Sequence, residues 1–388
     1  MSTKRLRTRI TAIAGVIAVL LVGGIWVALQ GSAQPAAGQT AGGSLKLTSA
    51  SPAETATGVN GTTPIEVHFS APVAADSAMP TVKPGIAGSW HGAGTSTLEF
   101  RPAAGFKQDT NVTVTIPAGT SGVRSASGGQ LARAQQVSFR TGSYQTARLD
   151  QVLAQLGYLP LTWQATGSSA QPTSAAAQLS AAYAPPQGKF TWDAGYPTTI
   201  RKFWHGGATS GLILSGAVMA FESNHGLARD GVAGQRVWAA LLKAEADNQK
   251  NAHGYTYAVA SEASPETLTI WHNGRVVLHS LTNTGIPQSP TTIGTSPVYL
   301  RYNSQVMRGT NPNGSKYAEQ VYYVSYFRGS LAVHYDLRPS YGFPQSLGCV
   351  ELPMNEAKQA FPYLTYGSLV TVQPGALTPS TSPTDPTT

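Results

Sequence analysis

The period at which apolar positions recur changes three times along the chain. Residues 10–29 form an apolar run of 20 with no charge, interrupted only by Thr11 and glycines. Between residues 44 and 142 apolar and polar positions alternate, as in Ile65-Glu66-Val67-His68-Phe69, Val112-Thr113-Val114-Thr115-Ile116 and Val137-Ser138-Phe139. Alternation of this kind belongs to half-buried strands, with Gly, Pro and Asn supplying the turns. It predicts an all-β sandwich. A helical spacing then takes over: Leu149, Val152, Leu153 and Leu156 fall on one helix face. A second helix is predicted over 216–227, an Asp230-Gly231 turn follows, and a third helix carries Val237, Trp238, Leu241 and Leu242. Beyond residue 254 the period returns to two. Strands over 267–271 and 276–278 flank Asn273-Gly274, a strong hairpin signal. Further strands are predicted over 298–302, 321–327, 331–334 and 368–372, with a short helix over 355–361. The fold class is therefore multidomain: an all-β module over 44–142, a small helical one over 145–250 with an Ala/Ser/Pro-rich insertion at 167–187, and a mainly-β one over 254–373.

The flanks change this picture. Lys4, Arg5, Arg7 and Arg9 make residues 1–9 a basic tail ahead of the apolar run. About 20 apolar residues suffice to cross a bilayer, and a basic flank stays in the cytoplasm. The expectation is a single-pass anchor over 10–29 in the cytoplasmic membrane, with the rest of the chain outside. A signal peptide cut near Ala33, Ala36 or Ala37 is the alternative. No cysteine stands directly after the run, in residues 30–43, which excludes a lipid anchor there. Residues 30–43 read as a flexible spacer and 374–388, rich in Pro, Ser and Thr, as a disordered tail. Without the basic tail the formal charge falls from +8 to about +4. Charged residues make up 11% of the chain, against about 25% in typical soluble proteins. No Lys/Arg-rich stretch could track a phosphate backbone, which argues against nucleic acid. A mildly basic exterior suits anionic wall polymers.

One cysteine stands in 388 residues: Cys349, within Gln345-Ser346-Leu347-Gly348-Cys349-Val350-Glu351, 15 positions after His334. A lone thiol either packs as a small apolar side chain or reacts. Free thiols titrate at about 8.5, so reaction at neutral pH requires a nearby base. His334 at the end of a predicted buried strand is the candidate base, and Gly348 permits a backbone conformation that a Cβ would resist. His272 and His279 on the first hairpin are competitors. His225 and Asp230 fall short of a zinc ligand set, and His68 and His91 read as ordinary surface residues. Neither metal nor cofactor is called for.

Three resemblances attach to these residues. Ser51-Pro52-Ala53-Glu54 through Val59, with Phe69-Ser70-Ala71-Pro72-Val73, resembles bacterial Ig-like cell-surface domains. Residues 216–227, Asp230-Gly231-Val232-Ala233-Gly234 and the Trp238 helix resemble the three-helix peptidoglycan-binding domain, with Glu222 where that family usually has Gln. The segment Pro290-Thr291-Thr292-Ile293-Gly294, then His334, then Ser346-Leu347-Gly348-Cys349-Val350, resembles the L,D-transpeptidase (YkuD-type) catalytic domain. This chain departs from that family in having Tyr335 after the His, Leu347 two before the Cys, and Glu351 two after it.

The transpeptidase resemblance implies that Cys349 attacks a peptidoglycan stem peptide at the bond to its terminal D-Ala, forming a thioester. His334 serves as base and then acid. An amine from a second stem then gives a crosslink between third residues; water gives an L,D-carboxypeptidase instead. N–H groups over 347–349, Gly348 included, are oxyanion-hole candidates, and Ser346 is a loop support. Tyr341, Arg338, Thr291 and Glu351 are candidate substrate contacts: Arg338 for an anionic end, Glu351 for an amine. Acylation by carbapenems and other β-lactams follows from the same chemistry. A non-catalytic wall-binding scaffold, motivated by Leu347 and Glu351, is the reading from another class.

Overall fold

The computed structural model describes residues 43–167, 172–207 and 211–377. The predicted anchor, its basic tail and nearly all of the spacer lie outside these residues, as does the tail beyond 377. The expectation of a membrane-spanning helix is corrected here: among the described residues no helix is long and apolar enough to cross a membrane. Single-pass attachment and the location built on it are withdrawn.

The first module is a two-sheet sandwich. One sheet runs Leu47–Ser51, Ile65–Phe69, Thr97–Pro102, Gly88–His91; the other runs Thr81–Lys83, Asn111–Ile116, Gln135–Arg140. The alternating apolar residues do what their period dictates. Val112 pairs Phe139 and Val114 pairs Val137, all turned inward against Ile65, Val67 and Phe69.

The helical module holds the three predicted helices, at Thr146–Gln155, Leu212–Asn224 and Gln235–Ala246. It also holds a fourth. The described part of the insertion contains Ala175–Tyr183, capped by Ser174, whose side chain accepts the Ala177 N–H at 3.2 Å. Gln178, Ala181, Ala182 and Tyr183 of this helix are buried. A strand pair, Leu161–Ala165 with Gly188–Trp192, completes the layer. The insertion is thus part of the packed unit rather than an interruption of it.

Two sheets make up the last module. A five-stranded sheet runs Arg275–Leu281, Thr267–His272, Thr256–Ser261, Leu369–Gln373, Gly294–Pro297. A four-stranded sheet runs Leu300–Thr310, Lys316–Arg328, Leu331–Tyr335, Val350–Leu352. Ala258, Ala260, Leu268, Ile270, Val333 and Val350 fill the space between them. The other face of the five-stranded sheet is covered by the helices: Tyr257, Trp271 and Leu369 share one apolar core with Leu153, Phe221 and Leu241. Backbones meet at this seam. A Cβ on Gly216 would lie 2.5 Å from the Gly367 carbonyl, so only glycine fits.

Candidate active site

Leu331–Tyr335 and Val350–Leu352 are paired in parallel, with His334 opposite Glu351. Parallel neighbours require a crossover, and here residues 336–349 provide it. That crossover delivers Cys349 one residue before the second strand, beside His334. The nucleophile and base predicted from sequence are therefore brought together by a single strand pairing.

The turn before Cys349 is tightly specified. Gly348 has φ +111°, and a Cβ there would meet Leu331 Cδ2 at 2.9 Å. Ser346 is fully buried; its Oγ donates to the Cys349 carbonyl at 2.7 Å and accepts the Gly348 N–H at 3.0 Å. Ser289 Oγ donates to the Leu347 carbonyl at 2.9 Å. This corrects one expectation: the Gly348 N–H is engaged by Ser346 and is not free for an oxyanion. Among the described residues, the Leu347 and Cys349 N–H groups have no partner, leaving them as the available donors.

His334 is 2% exposed. Its Nδ1 sits 3.0 Å from the Tyr335 carbonyl; a carbonyl only accepts, so Nδ1 carries the hydrogen and Nε2 is left for the thiol. Among the described residues it is this backbone carbonyl, and no carboxylate, that orients the ring. Burial disfavours the charged imidazole, yet the facing Cys349 charge and hydrogen bond, then the Tyr335 carbonyl and Glu351, outweigh it and raise the pKa to about 9. The thiol is half-buried, 3.7 Å from the Ser330 carbonyl. This is a buried imidazole held ready to take and keep a proton beside the thiol.

A cleft of about 330 Å³ opens over the pair. Asp336, Arg338 and Glu351 line one side, and the long hairpin of Leu300–Thr310 and Lys316–Arg328 contributes Met307, Tyr317 and Glu319. The hairpin residues were not foreseen.

Four sequence candidates are placed differently from expectation. Arg338 and Glu351 hold each other: Nε reaches Oε2 at 2.8 Å and Nη2 reaches Oε1 at 2.7 Å. Arg338 also meets Asp336 at 3.0 Å. Neither offers a free charge to a substrate end. Tyr341 does not line the cleft; its hydroxyl donates to the Asp336 carbonyl at 2.5 Å, and burial pushes its pKa up to about 12. Thr291 is buried, its Oγ1 accepting the Gly285 N–H at 2.8 Å. Both brace loops rather than touch the cleft. His272 and His279, the competing bases, are hydrogen-bonded to Thr256 and Thr269 and lie outside the cleft.

The family profile for the L,D-transpeptidase catalytic domain matches residues 255–372. The C-terminal module is an L,D-transpeptidase catalytic domain, and its enzymatic role depends on cysteine. The bacterial Ig-like profile matches residues 43–141, so the N-terminal sandwich is an Ig-like domain. Neither profile covers the helical module. Among solved structures, an L,D-transpeptidase from Mycobacterium smegmatis is 14% identical, covering 85% of this chain and 99% of that one, with TM-score 0.29. L,D-transpeptidase 3 from Mycobacterium tuberculosis, in complex with a faropenem-derived adduct, is likewise 14% identical, covering 84% and 97%, TM-score 0.29. The catalytic domain of an E. faecium L,D-transpeptidase is 26% identical over 30% of this chain and 96% of its own, TM-score 0.28. No curated protein matches.

Proposed function

We propose that the L,D-transpeptidase domain joins peptidoglycan stem peptides through a thioester on Cys349. The observation that carries this reading is the buried His334 facing the half-buried thiol, with its pKa raised to about 9 by that sulfur. Cys349 gives its proton to His334 Nε2, and the thiolate attacks the carbonyl of the third stem residue. The Leu347 and Cys349 N–H groups receive the developing oxyanion. The imidazolium then gives its proton to the departing D-Ala amine as the C–N bond breaks, leaving thioester and neutral imidazole. The acceptor amine of a second stem loses its proton to that imidazole and displaces the thiolate, forming the 3–3 amide. The helical module, by its likeness to peptidoglycan-binding domains, is the wall-docking element, carried on the opposite face of the five-stranded sheet.

Hydrolysis is the second reading, favoured by the partial exposure of Cys349, which lets water reach the same thioester. The scaffold reading loses its motive, because the unusual Glu351 is matched by Arg338 and the dyad remains assembled. Incubation with tetrapeptide-stem muropeptide should give a Cys349-dependent acyl mass and crosslinked dimer. Tripeptide monomer alone would assign the carboxypeptidase, and turnover persisting in Cys349→Ala would refute both readings. A carbapenem should add its own mass to the unaltered chain and leave Cys349→Ala unmodified.

A further inference from the structure

We propose that Arg338 is a positioning residue for the Cys349–His334 pair: its guanidinium clamps the base's strand to the nucleophile's strand and shields His334 from the Glu351 carboxylate. The proposal rests on the reading of these two residues as nucleophile and base.

The pairing that sets the dyad is short. Only Val333–Val350, His334–Glu351 and Tyr335–Leu352 are in register, and Cys349 precedes the first of them. Slipping such a ladder by one residue would turn every side chain to the other face. Arg338 spans both sides of it. The guanidinium holds Glu351, two residues beyond Cys349, through two hydrogen bonds, and Asp336, two residues beyond His334, at 3.0 Å. The carboxylates are nearly out of water: their side chains are 3% and 10% exposed. A planar fork meets a carboxylate bidentately, which an ammonium cannot reproduce.

The charges point the same way. Cys349 and Glu351 both favour the protonated His334 ring. Asp336, on the same strand side, and Glu319, reaching across from the hairpin, lie close to the guanidinium as well. Three carboxylates thus converge on one cation beside the dyad. Without that cation the Glu351 charge would tighten the proton on His334, and the uncompensated carboxylates together would repel negative charge forming on Cys349. Arg338 accordingly serves the dyad rather than a substrate carboxylate.

The test is the pH dependence of Cys349 alkylation by iodoacetamide in the full-length chain, which needs no peptide substrate, beside muropeptide turnover. The unaltered chain should show a thiolate–imidazolium plateau. Arg338→Gln should move both limbs of that profile upward by about one unit, and Arg338→Lys should restore the limbs but not the rate. Arg338→Gln combined with Glu351→Gln removes both charges together, which spares folding if the single variant is unstable. It should keep the profile and lose about tenfold in turnover because the fork is gone. An Arg338→Gln profile superimposed on the unaltered one, or a double variant of undiminished turnover, overturns the clamp. An ordinary thiol profile in the unaltered chain overturns the dyad itself.

Discussion

Ser346 reaches both ends of the turn that presents the nucleophile, donating to the Cys349 carbonyl and accepting from the Gly348 N–H while fully buried. Ser346→Ala would strand both groups away from water, a loss of about 1–3 kcal/mol. The turn is also where the thiol is aimed, so kcat should fall about tenfold with KM little changed. Equal kcat in a folded Ser346→Ala protein would show that the glycine turn holds itself. His334 adds a linkage of known sign. Its folded pKa of about 9 lies above the ordinary 6.5, so its contribution to stability is complete below 6.5 and is lost as the pH rises through 9. At this scale the sequence was informative about chemistry and poor about partners. A lone Cys, a Gly before it and a His upstream are legible because each residue type is demanded by its own role. That Arg338 would be consumed by Glu351 was not, since the two lie 13 residues apart in a crossover with no periodicity.

Elements with one buried face were readable, and those without were not. The predicted strands over 298–302 and 321–327 are the base of a much longer hairpin, Leu300–Thr310 with Lys316–Arg328. Most residues from 303 to 320 are exposed or half-exposed on both faces, so no apolar alternation marks them, and Asn311-Pro312-Asn313-Gly314 reads only as a turn. The Ala175–Tyr183 helix was hidden for a related reason: its small alanines give little amphipathic contrast although half of the helix is buried. In Leu212–Asn224 the pattern was clear but one buried residue carries a cost. Glu222 is fully buried, Oε2 accepts the Gly231 N–H at 2.9 Å, and Oε1 has no partner. Burial raises its pKa from 4.5 to about 7. The folded state therefore binds the proton more tightly than the unfolded chain does, and stability declines as the pH rises from 4.5 through 7. Glu222→Gln supplies a neutral donor in the same shape. It should stabilise the protein by about 1–2 kcal/mol at pH 8 and by almost nothing at pH 4. Denaturant unfolding at the two pH values measures this; a gain of equal size at both would place its origin elsewhere.

At the scale of the whole molecule, the described residues between 43 and 377 belong to one compact unit, and the boundary between helical and catalytic modules is a boundary of periodicity only. The sequence divides the chain near residue 250 because helical spacing gives way to alternation there. It does not reveal that the strands on the far side are apolar on both faces. Thr256–Ser261 is buried at every position, one face packing on the second sheet and the other on the helices. A run of this kind reads as an ordinary strand until the layer above it is known. The consequence is energetic coupling. Phe221 belongs to a helix yet shares its core with Tyr257, Trp271 and Leu369 of the catalytic sheet. Phe221→Ala should cost about 3–5 kcal/mol. Because the core is shared, that loss should lower the temperature at which acyl transfer fails by the same amount as the temperature at which helical circular dichroism is lost. If activity outlasts the helices, the catalytic sheet keeps its structure uncovered, and the helical module is a tethered companion. If both fail together, the helical module cannot be removed without exposing Tyr257 and Trp271, and the helices and the catalytic sheet are parts of one folded body.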